Sequence, residues 1–212
     1  MNSSPVDARI RELSETLRSN GWCRTAWAER PPFLRDHQIH EPLQASVDRV
    51  VHYSKARLWW VERQREPFIR QILRIAEGAG YLRPKLRQVR YQISTETSSA
   101  QEVPFAAHID RDRYLKAILY LDNVSSSDGP IYLASSKPFH FEEKRTSFTR
   151  QSKAFGENLI GNSNCFPVLG EAGTVVIFDT NTPHHAGQIQ PGGQRRILRL
   201  DFDCGWERTS SK

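Results

Sequence analysis

The sequence has no run of eighteen or more apolar residues, which excludes an ordinary membrane-spanning helix. Its three cysteines, Cys23, Cys165 and Cys204, are odd in number and far apart, so they suit neither a disulfide framework nor the paired spacings of a zinc site. No Gly-x-Ser-x-Gly elbow occurs, and Ser135 and Ser136 fall in an expected turn, which sets aside a serine hydrolase of that design. A Lys/Arg-rich block, an internal repeat and a low-complexity tract are also missing. Met1-Asn2-Ser3-Ser4-Pro5 carries no basic-then-apolar leader, so the expectation is a cytoplasmic protein without a membrane partner. Oligomeric state leaves no mark in the sequence.

The chain of 212 residues, 38% of them hydrophobic, is of a size to bury one full core, and one domain over residues 1–212 is expected. Its net charge of +6 suits nucleic acid, an acidic carrier or an anionic small substrate. Because the cations are spread along the chain, they read first as an ordinary solvated surface, and nucleic acid is not the favoured partner.

The first eighty residues have mainly helical grammar. Ser4 suits a cap and Pro5 the first turn, while Val6, Ile10, Leu13 and Leu17 form one stripe that Gly21 closes. Helical pattern continues over residues 43–63 and 67–77, with a strand near 22–27. After Pro84 the pattern becomes alternation: Val89, Tyr91 and Ile93 on one face, Gln88, Arg90 and Gln92 on the other. Further strands are expected at 105–110, 114–122, 130–134, 165–169, 174–179, 184–189 and 195–202. Helices followed by a strand series predict an α+β domain, a curled or double sheet over 84–204 backed by helices within 1–83. The polar stretch 137–164 reads as a lid or substrate loop.

Within the strand half, His108 and Asp110 stand two apart, so on a strand both side chains leave the same side of the sheet. Two imidazoles and one carboxylate on one face of an octahedron are the donor set of non-haem Fe(II) oxygenases, and leave three positions for co-substrate and O2. His140 and Glu142 share the spacing but lie in the polar stretch, where no sheet would hold them. The third donor must come from a distant strand. His184 and His185 both qualify, and alternation lets only one reach the metal.

A cofactor such as 2-oxoglutarate needs a cation for its far carboxylate, preferably a bidentate one. Arg195 follows His184 by eleven positions across a Pro-Gly-Gly turn, with Arg196 and Arg199 as rivals. Arg195, Ile197, Arg199 and Asp201 share one face, while Arg196, Leu198, Leu200 and Phe202 share a face suited to packing on helices. That favours Arg195 for the interior and leaves Arg196 as the alternative. Gln88 is a candidate cofactor contact, and Arg90 and Gln92 are candidate substrate contacts.

Together these residues resemble the phytanoyl-CoA dioxygenase-like family of Fe(II)/2-oxoglutarate oxygenases over about residues 86–202. The likeness lies in His108-Ile-Asp110, in Asp128-Gly-Pro-Ile-Tyr-Leu-Ala-Ser-Ser-Lys137, in Gly173-Thr-Val-Val-Ile-Phe-Asp179, in His184-His-Ala-Gly187 and in Arg195. Ser135-Ser136-Lys137 departs from the family's Gly-Ser-His turn.

The resemblance implies a double-stranded β-helix (a cupin-like jelly roll), with His108, Asp110 and His184 on Fe(II) and Arg195 on 2-oxoglutarate. It also implies O2-dependent hydroxylation of an unactivated C–H bond of a small substrate, anionic, amino-acid-like or a natural-product intermediate, with release of succinate and CO2. Asp110 favours hydroxylation over halogenation, since halogenases of the family carry a small residue there. A non-enzymatic cupin-like binding module is the main alternative, although it has no need of a dicarboxylate clamp. A nucleic-acid demethylase is disfavoured, because Arg195-Arg-Ile-Leu-Arg-Leu-Asp201 lacks the Asn and Thr of those enzymes.

Overall fold

The computed structural model describes residues 4–27, 49–52, 67–95, 107–135 and 164–206. Helix α1 (Pro5–Asn20) starts where Ser4 Oγ accepts the Asp7 N–H at 3.2 Å, and it ends at Gly21, whose left-handed φ of 79° lets its N–H reach Leu17 O at 3.0 Å. Its buried face is Ile10, Leu13, Ser14 and Leu17. Val6 departs from the expected stripe: it is 60% exposed, since burial begins only at Ile10. Helix α2 (Pro67–Gly78) buries Phe68, Ile69, Ile72, Ile75 and Ala76. The two helices approach closely where Ser14 Oγ lies 3.0 Å from Ile75 O.

The strands are β1 (Trp22–Ala26), β2 (Arg49–His52), β3 (Tyr81–Thr95), β4 (Leu115–Tyr120), β5 (Ile131–Ala134), β6 (Cys165–Val168), β7 (Thr174–Asp179), β8 (His184–Ala186) and β9 (Gln194–Trp206). They form a six-stranded sheet in the order β1-β7-β4-β9-β3-β2 and a three-stranded sheet in the order β6-β5-β8, with antiparallel neighbours throughout.

Three expectations need correction. Residues 49–52, read as helical, are β2, pairing Arg49 with Ile93 and His52 with Arg90; the β-branched pair Val50-Val51 suits a strand once a partner edge is available. Strand β3 begins at Tyr81 rather than after Pro84, because register shifts between Leu82 and Lys85 and between Leu86 and Gln88 let the strand carry a proline. The strand expected at 105–110 is, among its described residues, a single bridge from His108 to His184. The polar stretch 137–164 falls outside the described residues except for Asn164, and so do His140 and Glu142.

The large sheet separates two environments. On its outer face Leu115, Ala117, Val175, Ile177, Leu198, Leu200 and Phe202 pack with the buried faces of α1 and α2. On its inner face Ile118, Tyr120, Val176, Phe178 and Ile197 pack with Ile131, Leu133 and Val168 of the small sheet. Because β4 and β7 are apolar on both faces, they read as continuous runs, Ala117-Ile-Leu-Tyr120 and Val175-Val-Ile-Phe178. Apart from Ile197, inner-face residues of β3 and β9 are polar instead: Gln88 lies opposite Asp201, Arg90 opposite Arg199 and Ser94 opposite Arg195. The space between the sheets is therefore apolar on one side and polar on the other, and the polar side adjoins the His108–His184 bridge.

No helix among the described residues is long and apolar enough to cross a membrane. Leu198 is wholly buried at the centre of the outer-face core, so Leu198→Ala should cost about 2–5 kcal/mol in urea unfolding. Exposed Val6→Ser should change stability by less than about 0.5 kcal/mol in the same measurement.

Candidate metal centre

His108 and His184 face each other across a reciprocal backbone bridge: His108 N–H donates to His184 O at 3.0 Å, and His184 N–H donates to His108 O at 2.8 Å. Their ring centroids stand 4.4 Å apart. Two residues on, Asp110 N–H donates to Thr180 O at 3.1 Å, while Ile109 turns into the core. Asp110 Oδ1 then lies 3.5 Å from His108 Nε2 and 3.4 Å from His184 Nε2. One donor atom from each residue falls within 4.8 Å of the others. A metal bound at about 2.1 Å with right-angled ligands separates its donors by about 3 Å, so each imidazole nitrogen needs to approach Asp110 Oδ1 by only a few tenths of an ångström.

The chemistry of the donors fits a cation as well. His184 Nδ1 lies 2.8 Å from Thr182 O, an acceptor that fixes the proton on Nδ1 and leaves the Nε2 lone pair outward. That Nε2 is buried and has no hydrogen-bond partner among the described residues. Burial pushes the His184 imidazole down to about 4, against the pull of the Asp110 charge, so it is neutral near pH 7. For Asp110, burial works to raise the carboxyl, but the Lys116 charge and the two imidazoles outweigh it and hold the group well below the usual range. A neutral imidazole and an ionised carboxylate are the forms that bind metal.

The other carboxylate oxygen faces away from the imidazoles. Asp110 Oδ2 accepts from Tyr114 Oη at 2.6 Å and from Lys116 Nζ at 2.9 Å. Arg199 Nη2 donates to Tyr114 Oη at 2.7 Å, and Arg199 is held on Asp201 at 2.7 and 3.1 Å. Sequence reasoning did not single out Tyr114 or Lys116. A signal was present, since Lys116 interrupts an apolar strand and alternation sets it on the inner face.

A buried ion pair holds the loop segments in place. Arg113 meets Asp179 through Nε at 2.9 Å and Nη2 at 2.7 Å, both side chains fully buried. Tyr81 Oη donates to the same carboxylate at 2.7 Å, and the Asn181 N–H does so at 2.8 Å. Burial, followed by the Asp179 charge, raises the Tyr81 hydroxyl well above its ordinary range, so it stays a donor. Thr180 Oγ1 accepts the Tyr114 N–H at 2.9 Å, tying the segment after Asp110 to the turn before His184.

The remaining candidates separate by face. His185 turns away from the cluster and stacks on Tyr132 at 4.5 Å. Arg195 is 5% exposed, donating to Gly129 O and lying 3.4 Å from Ser94 Oγ. The Arg196 side chain is 43% exposed and paired with Asp122. Arg90 Nη2 donates to Gln88 Oε1 at 2.6 Å, and Gln92 Nε2 lies 3.3 Å from Ser94 Oγ. Thus His108, Asp110 and His184 come together, while Gln88, Arg90, Gln92 and Arg195 line the polar inner face of β3 and β9.

Solved structures with this arrangement of sheets supply the comparison. The carbocyclase SnoK from nogalamycin biosynthesis, described as non-heme and alpha-ketoglutarate dependent, superposes with a TM-score of 0.62 at 14% identity, over 98% of this chain and 90% of its own. The epimerase SnoN, in complex with Fe3+, alpha-ketoglutarate and nogalamycin RO, gives 0.62 at 14%, over 96% and 88%. HygX from Streptomyces hygroscopicus, with nickel and 2-oxoglutarate bound, gives 0.62 at 14%, over 91% and 86%. The fold is theirs. No family model matches the sequence, and no curated relative matches it.

Removing one partner of the buried pair strands the other charge. Asp179→Ala should therefore cost about 3–5 kcal/mol in urea unfolding, whereas Arg113→Met combined with Asp179→Leu should cost clearly less.

Proposed function

We propose that this chain is an Fe(II)/2-oxoglutarate-dependent dioxygenase, the two sheets being halves of a double-stranded β-helix backed by α1 and α2. Convergence of His108, Asp110 and His184, with His184 Nε2 buried and making no hydrogen bond among the described residues, carries the reading. Structures sharing the fold hold iron or nickel together with 2-oxoglutarate, which supports the same cofactors here. A place within the phytanoyl-CoA dioxygenase-like group rests on the motif resemblance alone.

In this reading His108 Nε2, Asp110 Oδ1 and His184 Nε2 hold the ferrous ion on one face. With 2-oxoglutarate and O2, the metal supplies oxidation of an unactivated C–H bond, coupled to release of succinate and CO2. Arg195 binds the far carboxylate of the co-substrate, helped by the Ser94 hydroxyl, and its burial strengthens that ion pair. Arg196 has no part in this, being engaged by Asp122 at the surface. Gln88 offers an amide to the co-substrate. The apolar half of the interior, Ile118, Val176, Phe178 and Ile197, excludes water from the oxidant.

Arg90 and Gln92 are assigned to the substrate. Arg90 stands across from Arg199 on the inner face, yet Arg199 has the Asp201 carboxylate whereas Arg90 donates to an amide oxygen. Its Nε is buried without a partner among the described residues. A carboxylate or phosphate on a small substrate would satisfy both the geometry and the charge, so an anionic substrate is favoured. Hydroxylation is the proposed outcome, with epimerisation and ring closure represented among proteins of the same fold.

Anaerobic addition of Fe(II) and 2-oxoglutarate should produce the weak visible charge-transfer band of the chelate; Asp110→Ala should abolish it, and its absence from the wild type would sink the assignment. Arg195→Met should weaken 2-oxoglutarate binding by about 10–100-fold, in keeping with a charged hydrogen bond of about 1.5–3 kcal/mol. Arg90→Met should leave that affinity within about twofold, and a loss comparable to that in Arg195→Met would reassign Arg90 to the co-substrate.

A further inference from the structure

Asp110 presents its two oxygens to different surroundings. Oδ1 faces the imidazole nitrogens of His108 and His184 at 3.5 and 3.4 Å. Oδ2 accepts from both Tyr114 Oη and Lys116 Nζ, at 2.6 and 2.9 Å. The direction of these bonds follows from the donors. A guanidinium can only donate, so Tyr114 Oη accepts from Arg199 Nη2 at 2.7 Å, and its one proton is directed at Asp110. Arg199 is itself fixed by two contacts to Asp201. Lys116 has its side chain only 8% exposed, with its ammonium 5.2 Å from the Phe178 ring centre and 5.5 Å from that of Tyr114. Both donors sit on rigid parts of the fold, one in β4 and one just before it, rather than on surface rotamers.

We propose that Tyr114 and Lys116 are positioning residues that hold Asp110 to its metal through Oδ1 alone. This rests on the Fe(II) reading above. Chelation by both oxygens would require Oδ2 to give up two charge-assisted bonds inside a protein, where such bonds are strong. Restricted to one oxygen, the carboxylate takes one of six positions, and with the two histidines leaves three. Two of those are required by a bidentate 2-oxo acid and one by O2. A chelating carboxylate would compete for one of the three. The lysine has a second effect of the same sign, since its charge draws electron density from the carboxylate and weakens it as a donor.

A clamp and a merely structural pair predict opposite signs for metal affinity. In Tyr114→Phe/Lys116→Met, Oδ2 is released and the competing cation is gone. Co(II) should bind about tenfold more tightly, with a changed visible d–d spectrum, while 2-oxoglutarate binding to the Fe(II) form, read from the charge-transfer band, should weaken about tenfold. Lys116→Arg, which keeps a cationic donor, should restore both values towards the wild type. Should the double variant unfold in a circular-dichroism melt, Tyr114→Phe removes a single hydroxyl and should show both shifts, with the same signs and smaller size. Loss of Co(II) and 2-oxoglutarate affinity together, or no change in either, would overturn the clamp. If the wild type binds neither Co(II) nor 2-oxoglutarate, the metal reading fails and the clamp with it; if the wild type binds both and the variants match it, only the clamp fails.

Discussion

The ion pair between Arg113 and Asp179 lies where three distant parts of the chain meet: the segment that follows Asp110, the end of β7, and Tyr81 at the start of β3. Both charges are out of water, a costly arrangement that a well-packed apolar pair would often match in stability. Its value is geometric. A carboxylate that accepts from a guanidinium, a phenol and the Asn181 N–H has one orientation, and that orientation fixes the turn from Thr180 to Pro183. His184 emerges from that turn, and Asp110 is bonded to its Thr180 carbonyl. His108, Asp110 and His184 thereby stand together through contacts of the protein alone.

A second constraint is the division of the inner face. Apolar side chains of β4 and β7 pair with the small sheet, while the polar ones of β3 and β9 gather Gln88, Arg90, Gln92, Ser94, Arg195, Arg199 and Asp201 on the other side. Of these, Ser94, Arg195 and Asp201 are buried, where charges interact more strongly than in water. Lys116 sits on the boundary, on a strand that is otherwise apolar, and its ammonium reaches across to Asp110. This one departure from binary patterning in β4 coincides with the candidate centre, as expected where local rules give way to chemistry.

The correspondence between pattern and structure was uneven for physical reasons. Helices α1 and α2 were legible because their caps and stripes are local: Ser4, Gly21 and the Ile10-Leu13-Leu17 spacing act over a few residues. The polar and apolar faces of β3 and β9 were legible by alternation, and so was the burial of Arg195 as against Arg196. Strand β2 was not, since residues 49–52 become a strand only against the edge offered by β3. The extent of the His108 segment was misjudged as well, because its pairing is one bridge to a residue far along the chain.

The sequence by itself determined the kinds of donor, their spacing within each segment and the faces they occupy, because side-chain period along helix and strand is a local property. The motif resemblance already picked His184 over His185; only the tertiary structure decided that Asp110 has one oxygen turned to the imidazoles and the other to Tyr114 and Lys116, and that Arg113 and Asp179 fasten the loops. Those are contacts between segments that no local pattern encodes. They are fixed only when the sheets close on one another and each buried polar group has to find a partner.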